Sequence, residues 1–180
     1  SAETDTTVTV LLGGSSIATV VAAAGSWGLD HSATVLADGS YAINAIATDT
    51  AGNTSVASTT FNLEIDSTAP AAPAVSGITD DTNVAGDGVT GDSTLAIFGT
   101  SEAVADVTLY LDGVIIGSAT ADIGGAWIFN YTATVIPDGS YVVTAVAADA
   151  SGNQSLVSAG FNVVIDTGVP SAPVISAIDA

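Results

Sequence analysis

The sequence predicts an all-β chain built as a tandem repeat of small β-sandwiches. Residues 27–80 return one hundred positions later without a gap. Trp27 recurs as Trp127, Asp38-Gly39-Ser40-Tyr41 as Asp138-Gly139-Ser140-Tyr141, Gly52-Asn53 as Gly152-Asn153, and Asp66, Pro70 and Pro73 as Asp166, Pro170 and Pro173. A register this long marks a duplication rather than shared composition. Short runs of Val, Ile, Thr, Tyr and Ala alternate with clusters of Gly, Asp, Asn and Pro, the spacing of strands and turns. No helical period of useful length interrupts them.

In the complete repeat, strands are expected near 73–78, 94–98, 106–111, 114–120, 126–133, 140–148 and 157–165. The first opens behind Pro73, and an acidic loop separates it from the second. Asp112-Gly113 joins 106–111 to 114–120 as a two-residue hairpin, because that pair tolerates the positive φ of a type I′ turn. Gly124-Gly125 supply the next turn, and Trp127 starts the strand behind it. Asp138-Gly139-Ser140-Tyr141 leads into 140–148, and the loop Asp149-Ala150-Ser151-Gly152-Asn153 separates that strand from the last. Seven short strands in about 100 residues suit an immunoglobulin-like sandwich. Tyr141 stands where that fold places its tyrosine corner, and Val143 takes the slot of the usual second Cys.

The stretches 65–73 (IDSTAPAAP) and 165–173 (IDTGVPSAP) each end one strand and open the next through prolines, which fix φ and keep the bridge extended. Boundaries therefore fall near 66 and 166. Residues 1–66 form a truncated repeat without a counterpart of 70–99, 67–166 a complete repeat, and 167–180 the first strand of a following one. That last strand has unpaired edges; it either pairs head to tail with another chain's truncated repeat or frays.

Nineteen Asp and Glu face no Lys or Arg, for a net charge of −19. No salt bridge to Lys or Arg can form, and nucleic acid and anionic membrane are poor partners because both need cations on the protein. With 48% hydrophobic residues the chain is too apolar for an acidic disordered tail. Something other than protein must neutralise the acids. One His and no Cys exclude zinc-type sites; oxygen ligands alone remain, and these suit Ca²⁺. No apolar run reaches the length of a membrane span.

The segments GTSEAVADVTLYLDG, ADIGGAW, IPDGSYVVTAVAADASGNQSLVS and FNVVIDTGVPSAP resemble the bacterial Ig-like repeats of giant surface adhesins, the extender arrays of type I-secreted, RTX-type and biofilm-associated proteins. The likeness covers essentially the whole chain. It implies Ca²⁺-rigidified domains outside a bacterial cell that hold a distal adhesive module away from the surface.

The candidate ligands follow from the sandwich's loops. Glu102 follows the second strand, Asp149 and Asn153 lie in the loop before the last strand, and Asp66 arrives from the linker; the four are expected at one junction. Glu3, Asp49 and Asn53 are the counterparts in the first repeat, and Asp166 is the next linker acid. The alternative is that Asp149 to Asn153 only forms an Asx-type turn. The acidic loop carries Asp80, Asp81, Asp87 and Asp92. From Asp81 it partly imitates a calcium loop, with Asn83, Gly86 and Asp92 at positions 3, 6 and 12, but Ala85 stands at position 5 and no helices flank it. It is either a generic carboxylate site or a solvated loop. Asp138, like Asp38, recurs in both copies and is explained as part of the corner turn or as a ligand.

His31 aligns with Tyr131 and reads as a strand residue. Trp27 and Trp127 read as core rather than as a carbohydrate platform. Carboxylate pairs can hydrolyse glycosides, but here they sit in recurrent loops without aromatic subsites, so no enzyme is expected. The expected role is a calcium-rigidified extracellular extender whose partners are neighbouring repeats. The rivals are a fibre subunit assembled by strand complementation and a glycan- or surface-binding module.

Overall fold

The computed structural model describes residues 3–174 and 176; within them lie twelve strands and no helix. The chain divides into two compact units, Ser1–Thr68 and Ala69–Ala180.

Unit 1 holds β1 (Thr7–Leu12), β2 (Ser15–Val21), β3 (Gly39–Thr48) and β4 (Phe61–Ile65) in one antiparallel sheet, ordered β2-β1-β3-β4. Unit 2 holds β5 (Ala74–Ile78), β6 (Val89–Thr90), β7 (Ala96–Thr100), β8 (Asp106–Leu111), β9 (Val114–Thr120), β10 (Ala126–Asn130), β11 (Gly139–Ala148) and β12 (Phe161–Ile165). These make two sheets, β10-β7-β5 and β6-β12-β11-β8-β9. Ile78, Leu95, Ile97 and Trp127 on the smaller side meet Val107, Leu109, Val143, Ala145, Ala147, Val163 and Ile165 on the larger, forming one buried core. Alternate residues of β11 and β12 point into that core, the period of two expected of a sheet with one dry face. Unit 2 is thus a complete immunoglobulin-like sandwich, and unit 1 supplies the equivalent of one sheet only.

The hairpin turn forms as its residues require: Asp112 and Gly113 both have positive φ, 48° and 79°, and Leu111 pairs with Val114. Both copies carry the same register shift in this hairpin, between Val10 and Leu11 and between Leu109 and Tyr110. The tyrosine corner is present twice. Tyr41 Oη donates to the Ala37 carbonyl at 2.8 Å and Tyr141 Oη to the Pro137 carbonyl at 2.9 Å. Val143, in the Cys slot, is fully buried.

Three segments depart from expectation. The strand expected over 126–133 stops at Asn130, whose Oδ1 accepts from the Thr132 N–H and hydroxyl and turns the chain. The strand expected over 157–165 begins only at Phe161. Before it, serine hydroxyls replace the ladder's carbonyls: Ser155 Oγ accepts from Ala147 N and Ser158 Oγ from Ala145 N, while Ser155 N and Ser158 N donate to those residues' carbonyls. Ser55 and Ser58 repeat this stitch on β3. Of the strand expected after Pro173, residue 174 is in no strand, and 175 and 177–180 lie outside the described residues.

Candidate functional site

The recurrent Asp-Asn loop closes in the same way in both copies. Asp149 Oδ1 accepts from Ser151 N and Asn153 N, each at 2.9 Å, and Oδ2 accepts from Asn153 Nδ2 at 2.9 Å. Asp49 does the same with Ala51 N (2.9 Å), Asn53 N (2.8 Å) and Asn53 Nδ2 (2.7 Å). Asp149 N and Asp49 N receive no such help from their own side chains; they donate to the Asn153 and Asn53 carbonyls. The Asn53 side chain, and then its backbone N–H, hold the Asp49 carboxyl below its ordinary range. The Asn153 side chain does this for Asp149. Donors aimed at a carboxylate favour its charged form. Each loop is therefore a pre-ionised Asx turn, and its two carboxylate oxygens are first of all the turn's own acceptors.

Asp38 and Asp138 act on the linker. Asp38 Oδ1 accepts from Ser67 N (3.0 Å) and Ser67 Oγ (2.6 Å), and Oδ2 accepts from Thr68 Oγ1 (2.6 Å). Asp138 Oδ1 accepts from Thr167 N (3.1 Å) and Thr167 Oγ1 (2.9 Å). The bonds from the Ser67 and Thr68 hydroxyls, with the Ser67 N–H, keep the Asp38 carboxyl low. Both acids thus pin the first linker residue to the corner turn of the unit it leaves. The linker acids cap the same bend from the other side. Asp66 Oδ1 accepts from Thr68 N at 3.1 Å and Asp166 Oδ1 from Gly168 N at 3.0 Å.

The acidic loop is tied to the same end of unit 2. Val164 N donates to the Gly88 carbonyl and Asp166 N to the Thr90 carbonyl, so β6 runs parallel beside β12. Asp81 Oδ2 accepts from Gly86 N at 2.7 Å and Gly88 N at 3.3 Å, whereas its Oδ1 is buried without a hydrogen-bond partner. Asp87 and Asp92 turn back on their own loop, to Val89 N (2.9 Å) and to Thr94 N and Oγ1 (both 2.8 Å). Glu3 and Glu102 have exposed side chains; their carbonyls close the turns before β1 and β8, onto Thr6 N and Ala105 N. Among the described residues no group of three or more His, Asp or Glu gathers tightly enough to hold a metal ion. Asp66 belongs to unit 1 and Glu102, Asp149 and Asn153 to unit 2.

Of the other singled-out residues, Trp127 is core, with its Nε1 buried and unpartnered; Trp27 and His31 are half-buried. Sequence reasoning missed the four serines of the stitch and the linker-pinning role of Asp38 and Asp138. The serines did carry a signal, since all four are identical between the copies. No helix among the described residues is long and apolar enough to cross a membrane.

One antiparallel sheet in unit 1 and a two-sheet sandwich in unit 2, closed by the same recurrent loops, define an immunoglobulin-like β-module. The chain belongs to the bacterial Ig-like domain family, whose sequence profile matches residues 1–67 and again 69–167. Among solved structures, fibronectin(III)-like modules of Clostridium thermocellum CbhA are similar, with 18% identity and a TM-score of 0.48 over 92% of this chain and 82% of that one. A tetra-tandem repeat from the extending region of a large adhesion protein is 23% identical, with a TM-score of 0.43, over 92% of this chain and 43% of the other. A 1.5-MDa bacterial ice-binding adhesin gives 24% and 0.42, over 91% and 53%. The chain thus spans about half the length of those two adhesin chains. No curated protein sequence matches it.

Proposed function

We propose that the chain is a non-catalytic spacer from the extender array of a giant bacterial surface adhesin, of the type I-secreted, RTX or biofilm kind, and that Ca²⁺ stiffens it outside the cell. The observation that carries the reading is the consecutive pair of family matches across one Pro-bearing linker. In both copies an aspartate of the corner turn grips the residue that starts the linker. A module used as a spacer needs its exit direction fixed, and that grip supplies it.

Calcium rests on the chemistry of the donors. The acids have no Lys or Arg to pair with. Asp81 holds a buried carboxylate oxygen that no donor reaches, and an unpaired buried acceptor costs about 1–3 kcal/mol. A hard cation satisfies it. The residues put forward as ligands are Asp66, Glu102, Asp149 and Asn153, their counterparts Glu3, Asp49, Asn53 and Asp166, and the loop acids Asp81, Asp87 and Asp92 with Asp138. The acids are too dispersed to form the shell alone, so backbone carbonyls and water complete it.

The test combines calorimetric Ca²⁺ titration with small-angle scattering on a multi-repeat chain, comparing parent and Asp66→Ala. The expected result is saturable binding with a loss of bound Ca²⁺ and of maximum dimension in the variant. Identical stoichiometry and length would remove Asp66 from the reading, and no binding at millimolar Ca²⁺ would remove the ion.

A further inference from the structure

Three stretches of the chain have the pattern Asn-x-Ser/Thr, the acceptor sequence for a sugar on an asparagine amide: Asn53-Thr54-Ser55, Asn130-Tyr131-Thr132 and Asn153-Gln154-Ser155. The fold treats them unequally. Asn53 and Asn153 commit their amide nitrogens to a carboxylate, Nδ2 donating to Asp49 Oδ2 at 2.7 Å and to Asp149 Oδ2 at 2.9 Å. Their serines are committed too. Ser55 Oγ donates to the Val56 carbonyl and Ser155 Oγ to the Leu156 carbonyl, while both accept from the neighbouring strand.

Asn130 is arranged the other way round. Its Oδ1 accepts from Thr132 Oγ1 at 2.6 Å and from Thr132 N at 3.0 Å, so the oxygen alone makes the turn. Both residues are exposed. Unit 1 shows that the turn needs no more than this. Asp30 stands in the place of Asn130, and its Oδ1 accepts from Ser32 N at 2.9 Å. An aspartate thus builds the same bend. What Asn130 adds is an amide nitrogen that the turn does not use. Two donors on Oδ1 draw electron density toward the oxygen and make the amide N–H more acidic.

We propose that Asn130 is a glycosylation site, the acceptor of a sugar from a donor whose leaving group is a diphosphate, and that the fold withholds Asn53 and Asn153 from the same reaction. The step is a substitution at the sugar's anomeric carbon, C1. The bond from Nδ2 to C1 forms as the bond from C1 to the diphosphate oxygen breaks. The diphosphate leaves with the bonding pair, and the Nδ2 proton passes to a base of the transferase. Nothing is oxidised or reduced. Afterwards Oδ1 still accepts from Thr132, so the sugar is carried without loss of the turn. At Asn53 and Asn153 the nitrogen to be substituted is the one that holds the aspartate. No ion takes part, so the proposal stands apart from calcium.

The aspartates give the experiment its readout. Cleavage before each Asp leaves one of the three sequences in each of the peptides 49–65, 122–137 and 149–165. The folded chain is incubated with a soluble asparagine glycosyltransferase and UDP-glucose, and in a second arm with a membrane oligosaccharyltransferase and a polyprenyl-diphosphate glycan. It is then cleaved, and each peptide is read by mass. In a parallel sample cleavage precedes the transfer, which measures each sequence without the fold and corrects for Thr132 against Ser55 and Ser155. The folded chain is expected to carry sugar on 122–137. Its other two peptides should be modified at least about tenfold less than in the cleaved sample. Asn130→Asp keeps the turn oxygen, as Asp30 does, and should melt like the parent with no sugar on 122–137. Thr132→Ala should slow transfer about tenfold, the rate equivalent of a lost hydrogen bond, and Thr132→Ser should restore it. The arm that succeeds names the donor. No sugar on 122–137 of the folded chain in either arm would overturn the site. Equal ratios of folded to cleaved modification at all three sequences would overturn the selection by the fold.

Discussion

At the scale of single residues, aspartate does work that other proteins give to backbone. Asp149 gathers three donors from its own loop, the Asn153 side chain first among their effects on its acidity. Its carboxyl is therefore lowered in the folded chain. A group of that sign stabilises the fold above its unfolded value, about 3.9, and loses the contribution as pH falls through the lower folded value. Acidification below about pH 4 should accordingly open the Asp149 loop, and Asp49 should behave alike. NMR titration of the two carboxyl carbons checks this; midpoints at or above the ordinary Asp value would contradict it. Asp81 is held on one oxygen only. Its Oδ1 is buried with no donor, so Asp81→Asn, keeping the acceptor for Gly86 N and Gly88 N, removes one negative charge from a loop of four aspartates. The variant is expected to melt higher than the parent in EDTA and to gain less from Ca²⁺. A lower melting temperature in EDTA would show that the lone oxygen is satisfied by water.

At the scale of elements, packing decides what local pattern leaves open. Ile65 and Ile165 are the same residue at equivalent sites of β4 and β12, one half-buried and the other 1% exposed. Ile165→Ala should cost about 2–5 kcal/mol, the range for truncating a sealed core residue, and Ile65→Ala distinctly less. Because each unit carries one tryptophan, denaturant melts in the single-tryptophan backgrounds Trp27→Phe and Trp127→Phe report unit 2 and unit 1 separately. Equal losses would mean that the face of unit 1 is covered. The same contrast explains what the sequence could show. The Asp112-Gly113 turn, the Tyr41 and Tyr141 corners and most strands of unit 2 follow from local residues and were legible. The end of β10 at Asn130 and the late start of β12 were not, because side-chain oxygens of Asn130, Ser155 and Ser158 compete there with ladder carbonyls. β6 was hidden since two residues carry no period. Residues 26–30 read like 126–130 at Trp27, yet stay out of a sheet for want of a neighbouring strand. Among the site residues, recurrence picked out Asp49 and Asp149, whose partners lie within four residues. It could not assign Asp38 or Asp138 to the linker, whose bonds to them span 29 residues or more.

At the scale of the whole molecule, a charge of −19 with no Lys or Arg sets the response to ions. Repulsion among exposed acids is screened by any salt, with a Debye length of about 10 Å at 0.1 M, so added NaCl should raise the melting temperature on its own. Specific binding is a separate effect. For sites of Kd about 0.1–1 mM, the extracellular range, about 10 mM Ca²⁺ adds about 1.4–2.7 kcal/mol per independent site. For a domain this size that is a shift of about 5–20 °C. The two are separated by melting the chain in EDTA with NaCl, and in CaCl₂ adjusted to the same ionic strength. A shift in Ca²⁺ that persists at matched ionic strength, and that Mg²⁺ does not reproduce because it sheds its water reluctantly, is the expected result. Superimposable curves would make the acids a diffuse charge cloud needing only screening. The chain would then remain a tandem bacterial Ig-like module, with its linker bends held by hydrogen bonds to Asp38, Asp66, Asp138 and Asp166 alone.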